Sequence, residues 1–125
     1  MALLGDTVAV TMYQKAWMVP GVYFDYPLPP VFYYRKSQLI EWIFGKEVIV
    51  GELQAEPWTP KGVMQDTLEE QAKSMDAARF RSNIEFAKRT GLDTFYLWGG
   101  EWWYWMKEKQ GRPEMWEEAR SIFEL

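Results

Sequence analysis

Glu47-Val48-Ile49-Val50-Gly51-Glu52-Leu53-Gln54-Ala55-Glu56-Pro57-Trp58 is the stretch on which the fold turns. From Glu47 to Leu53 it is nearly continuous in Val and Ile, the pattern of a strand covered on both faces, as in a parallel sheet. Pro57 holds Glu56 extended and opens a loop. If Val48 and Val50 face one side, strand alternation places Glu52 with them, so its carboxylate emerges at the strand's end among the loops.

Working outward, the same grammar of strand, loop and helix occurs on either side. Upstream, Asp6 to Tyr13 reads as a strand, followed by a long loop through Pro20-Gly21 and Pro27-Leu28-Pro29-Pro30. A helix is predicted from Val31 to Phe44, with Phe32, Leu39, Ile40 and Ile43 as its buried stripe, Trp42 in the helix–sheet interface and Gly45 as its stop. Downstream, Thr67 with Glu70 three residues later fits a capping box. The helix it starts should bury Leu68, Ala72, Met75, Ile84 and Ala87 and end at Gly91. The third unit runs from the strand Asp93 to Trp98, through a tryptophan-rich loop, to a helix that starts at Pro113 and turns Trp116, Ala119 and Phe123 inward.

Three such units in succession imply right-handed crossovers and an α/β fold with a parallel sheet. Helices would cover one face only, leaving the other bare. A (β/α)8 barrel takes about 250 residues and eight units. The expectation is therefore a single domain over residues 1–125 made of three consecutive βα units, the C-terminal portion of such a barrel. An oligomer or a partner chain is expected over the open sheet face.

Composition narrows the chemistry. The chain is 48% hydrophobic and 26% charged, which suits a globular domain. Its net charge of −4 and the absence of a basic run argue against nucleic acid as a partner. With no histidine and no cysteine, imidazole and thiolate metal sites and Ser-His or Cys-His catalysis are excluded, so no metal or other cofactor is expected. Any catalysis falls to carboxylates, Tyr or Lys. Met1 to Asp6 has no basic segment or apolar run of signal-peptide length, and no stretch is long enough to span a membrane as a helix.

What stands after the strands is suggestive. Val48 to Trp58 and Tyr96-Leu97-Trp98-Gly99-Gly100-Glu101-Trp102-Trp103-Tyr104-Trp105 each carry an apolar run into carboxylates and then tryptophan. Sugar chemistry uses that combination: a carboxylate acts on the anomeric carbon, and an indole face stacks on a pyranose. Trp17, Trp58, Trp98, Trp102, Trp103 and Trp105 fall in or beside loops, where a sugar-stacking cleft or a packed aromatic lid would account for them. Trp98 is the foremost platform candidate, Trp58 the next, and Trp102 a further substrate-binding candidate. Glu56 would bind a sugar hydroxyl or compete with Glu52 as nucleophile, and Glu101 would bind a neighbouring sugar or pair with a lysine.

These segments resemble the clan A retaining glycoside hydrolases, which include cellulases, xylanases and β-galactosidases. Val48-Ile49-Val50-Gly51-Glu52-Leu53 looks like strand seven of that clan, which ends in the nucleophile, and Tyr96-Leu97-Trp98-Gly99 looks like strand eight, which often ends in a tryptophan under the reacting sugar. Tyr13 stands where strand six often presents a residue near the nucleophile. More narrowly, Glu-Leu-Gln-Ala-Glu-Pro-Trp with Leu-Trp-Gly-Gly-Glu-Trp-Trp-Tyr-Trp is similar to bacterial β-glycanase-like barrel proteins. The resemblance implies retaining hydrolysis of a β-linked polysaccharide or oligosaccharide, with Glu52 as nucleophile and Tyr13 hydrogen-bonded to it. It departs in one respect: the clan's acid/base glutamate follows an asparagine on strand four, and the one asparagine here, Asn83, precedes Ile84. A carbohydrate-binding module without catalysis, or an interaction module using the Trp-rich loops, remains the alternative expectation.

Overall fold

In a computed structural model of the protein, which describes residues 5–123, strand β4 (Glu47–Gln54) lies between β1 (Thr7–Met12) and β5 (Phe95–Trp98) and runs parallel to both. The architecture is mixed α/β, with this three-stranded parallel sheet and helices on one face. No helix is long and apolar enough to cross a membrane among the described residues.

The expected parity of β4 is broken inside the strand. Val10 pairs with Val50, Thr11 with Glu52 and Met12 with Leu53, so Gly51 is an extra residue opposite β1, and the pairing with β5 slips at the same place. A β-bulge of this kind puts two consecutive residues on one face. Val50, Leu53, Met12, Val10, Phe95 and Leu97 pack on the helix side, around Tyr33 and Ala87. A Cβ on Gly51 would lie 3.1 Å from Ala9 Cβ on the opposite, open face. Glu52 follows Gly51 onto that face, beside Thr11. It reaches the uncovered side of the sheet because of the bulge, in the opposite sense to Val48 and Val50.

The expected long loop after β1 contains a hairpin, β2 (Lys15–Val19) and β3 (Val22–Asp25), turned at Pro20-Gly21 with Gly21 at φ 77°. Helix α1 (Pro30–Phe44) ends as expected at Gly45, which is left-handed at φ 61° and donates its N–H to Glu41 O. Its buried side chain is Tyr33, edge-on to Phe86; Phe32, Leu39 and Ile43 are exposed, and Trp42 is 83% exposed. The stripe read from periodicity thus faces away from the sheet. Only Ile40 of it is partly covered.

The helix expected after Thr67 is two helices, α2 (Leu68–Ala72) and α3 (Ala77–Lys88). Thr67 Oγ1 accepts from Glu70 N, but the Glu70 carboxylate accepts from Tyr23 and Lys73. The chain breaks because Asp76, extended at φ −142° and ψ 179°, caps α3 by accepting from Arg79 N at 2.7 Å. Asp76→Ala is expected to cost about 1 kcal/mol in urea unfolding. Ala72 is exposed, while Met75, Ala87 and the unanticipated Phe80 are buried.

The tryptophan-rich segment, expected as a loop, is helix α4 (Gly100–Gln110), followed by α5 (Glu114–Phe123). Trp102, Trp103 and Met106 pack with Met75, Phe80, Met115 and Ala119 in a second core, so the aromatics bury one face of an amphipathic helix. Glu101 in the first turn and Lys107 and Lys109 in the last suit the helix dipole. Phe123, expected to point inward, is exposed, whereas Ala119 is buried and Trp116 partly so.

Candidate active site

Where β1 and β4 end, three expected residues come together on the open face. Tyr13, one residue beyond β1, donates its hydroxyl proton to Glu52 Oε2 at 3.1 Å. Trp58, in the loop after β4, meets the Tyr13 ring edge-on, with centroids 5.2 Å apart and planes at 87°. Its backbone N–H donates to the buried Ser74 Oγ at 3.0 Å, tying the loop to the start of the helical layer. A cavity of about 430 Å³ opens here, lined by Thr11, Tyr13, Ala16, Tyr26, Glu52 and Trp58 together with Leu28 and Tyr33. Its size is in the range of a small-ligand site.

The electrostatics follow from this placement. Burial, reinforced by the hydrogen bond to Glu52 and the charges of Glu52 and Glu56, pushes the Tyr13 phenol well above the ordinary tyrosine range. Tyr13 therefore stays protonated and remains a donor to Glu52 at any physiological pH.

Glu56, Trp98 and Glu101 form a neighbouring group. Trp98, the last residue of β5 and half exposed, donates its indole N–H to Glu56 Oε1 at 3.0 Å. Burial raises the Glu56 pKa; the Trp98 bond opposes this and the negative charge of Glu101 adds to it. The folded chain thus holds a proton on Glu56 to higher pH than the unfolded chain. The corresponding stability is present below the ordinary value of 4.5 and is lost as pH rises through the folded pKa. Glu56→Gln, which keeps an acceptor for Trp98, is expected to melt above the wild type at pH 7, with the gap closing toward pH 4, as followed by circular dichroism.

Trp102 does not join either group. It is 2% exposed, and its Nε1 donates to the buried Gln71 Oε1 at 2.8 Å, so no indole face is open to a ligand. The expectation of a substrate-binding role for Trp102 is corrected to a core role: as the third residue of α4, it turns under the helix rather than over the sheet. Trp103 is likewise buried and donates to Ala55 O at 2.7 Å.

Sequence reasoning missed Ala16 and Tyr26, which reach the cavity through the hairpin; the Pro20-Gly21 turn dipeptide was the available signal. Among the described residues, no group of three or more Asp or Glu side chains is arranged to hold a metal ion. The chain matches no protein-family description, no characterised protein and no solved structure.

Proposed function

We propose that this chain is the C-terminal part, strands six to eight, of a (β/α)8-barrel retaining glycoside hydrolase that acts on a β-linked polysaccharide or oligosaccharide, with Glu52 as nucleophile. The observation that carries the reading is the hydrogen bond from Tyr13 to Glu52, at the carboxyl end of a parallel sheet, on its uncovered face and beside Trp58. In barrels of this class, chemistry sits at that end of the strands. The bare sheet face and the exposed Leu39, Trp42 and Ile43 of α1 are surfaces that further βα units, or a partner chain supplying them, would cover.

In the proposed mechanism, Tyr13 aims one carboxylate oxygen and leaves the other free to attack the anomeric carbon. Trp98 and Trp58 offer half-exposed indole faces to the sugar, and Glu56 and Glu101 offer carboxylate oxygens to its hydroxyls. Retention needs a second carboxyl about 5–5.5 Å from the nucleophile to protonate the leaving oxygen and then activate water. That group comes from outside this chain.

A leaving group that needs no proton removes this dependence. With a 2,4-dinitrophenyl 2-deoxy-2-fluoro-β-glycoside, Glu52 Oε forms a bond to C1, the C1–O bond breaks, and dinitrophenolate departs with the electron pair. Mass spectrometry is expected to find the glycosyl ester on the peptide that contains Glu52, and no adduct in Glu52→Gln. Failure of every activated β-glycoside tested to label the wild type would remove Glu52 from the role. The half-exposed Trp58 and Trp98 favour a second reading, a binding module without catalysis. It predicts oligosaccharide binding that is lost in Trp98→Ala and kept in Glu52→Gln.

A further inference from the structure

We infer that Gln54 is the positioning residue that sets the Tyr13 hydroxyl on Glu52, a role whose catalytic meaning rests on the reading above. The ladder between β1 and β4 ends at the pair Met12 and Leu53. Beyond it the chain leaves the sheet for the hairpin, and the backbone of Gln14 and Lys15 has no strand partner in the sheet. The Gln54 side chain, 0% exposed, takes the place of that partner. Its Oε1 accepts from Gln14 N and Lys15 N, both at 3.0 Å, and its Nε2 donates to Lys15 O at 2.6 Å. Asn83 on α3, itself buried, donates to Gln54 O at 2.9 Å and holds the clamp from behind.

Tyr13 is the one residue between the last ladder pair and the clamped Gln14, so its backbone is fixed on both sides. Its hydroxyl returns to Glu52, two residues before Gln54 on the same strand. The result is a closed loop: Glu52 through Leu53 to Gln54, across to Gln14, back to Tyr13 and onto Glu52. An amide suits the position because it presents an acceptor for two N–H groups and a donor for a carbonyl without having to take up a proton. A carboxylate would lose the Lys15 O bond, and an apolar chain would lose all three.

The test uses tyrosine labelled with 13C at Cζ, whose shift reports hydrogen bonding of the phenol. The Tyr13 resonance is assigned by its disappearance in Tyr13→Phe, and its dependence on the carboxylate by its displacement in Glu52→Gln. Gln54→Met is expected to move it toward the position of a solvent-exposed tyrosine. Should Gln54→Met fail to fold, Gln54→Asn, which keeps a buried amide one bond too short, is expected to move it the same way. Gln54→Glu, which still accepts from both N–H groups, should largely restore the wild-type position. Thr90→Val removes a buried polar group remote from the site and should leave the resonance where it was. A Tyr13 resonance unmoved in whichever of the Met and Asn variants folds overturns the inference. The glycosidase reading is decided separately by fluorosugar labelling of the wild type: an adduct with an unmoved resonance sinks the Gln54 role alone, and a moved resonance without an adduct sinks only its catalytic meaning.

Discussion

Gly99→Ala is expected to remove most of the chain's folding stability, about 4 kcal/mol. Gly99 joins β5 to α4 at φ 147° and ψ 10°, a conformation that side chains of L-residues rarely adopt. A Cβ there would stand 2.6 Å from Ala55 O, 2.7 Å from Ala55 C and 2.9 Å from Glu56 Cβ. Two of these atoms are backbone and cannot swing aside. They are also engaged: Ala55 N donates to Trp98 O at 3.0 Å, Ala55 O accepts from Trp103 Nε1, and Trp103 N donates to Gly99 O.

The backbone strain is about 1–3 kcal/mol, and forcing atoms into a filled site costs a further 1–3 kcal/mol, roughly. A loss of about 4 kcal/mol is most of the stability of a small domain, typically about 5–15 kcal/mol. This chain, with one sheet face bare, belongs at the low end of that range. Far-UV circular dichroism with urea unfolding reads the outcome. Gly100→Ala is the matched control, because nothing lies within 4 Å of its added Cβ and Ala favours a helix. If Gly99→Ala keeps a wild-type transition, the junction relaxes and does not fix Trp98 against Glu56.

The strands were legible where one rule governed them. Glu47 to Leu53 is β-rich in sequence and is β4 in the structure, and the runs ending at Tyr13 and Trp98 are β1 and β5, so the parallel sheet followed from order alone. The face on which Glu52 emerges was not legible, because alternation assumes one residue per step and the bulge at Gly51 inserts another. The only hint was a glycine inside a strand. The hairpin was hidden by Pro20-Gly21, read as loop punctuation although it also turns two short strands.

Helices failed where periodicity was asked to choose a face. Leu39, Trp42 and Ile43 do form a stripe on α1, but the sheet takes the side carrying Tyr33 and leaves the stripe exposed. The tryptophans of 102–105 read as a loop because aromatics cluster in binding loops. Spacing told more than composition: Trp102 and Met106 are four apart and both are buried. The Tyr13 to Glu52 hydrogen bond was expected from sequence and is present, whereas the Gln54 clamp behind it was not foreseeable, since a glutamine at a strand end usually faces water.

Trp102→Ala is expected to cost about 5 kcal/mol. Removing a fully buried indole costs about 3–5 kcal/mol, and leaving Gln71 Oε1 without its 2.8 Å donor inside the core adds about 1–3 kcal/mol. Trp102→Phe separates the two effects: most of the apolar volume stays and the donor goes, so about 2 kcal/mol should be lost. Trp98→Ala is the opposite case. Half of Trp98 faces solvent, so its removal should cost only about 1 kcal/mol by lost burial, yet it takes away the indole face proposed as the sugar platform and the donor to Glu56. Stability and binding should therefore part company. Urea unfolding and titration with a β-linked oligosaccharide, measured on the same samples, should find Trp102→Phe weakened but still binding and Trp98→Ala stable but unable to bind. Loss of binding in folded Trp102→Phe would mean that the cleft draws on the α4 core as well as on β5. Unchanged binding in Trp98→Ala would take the platform role away from β5 and leave Trp58 to carry it.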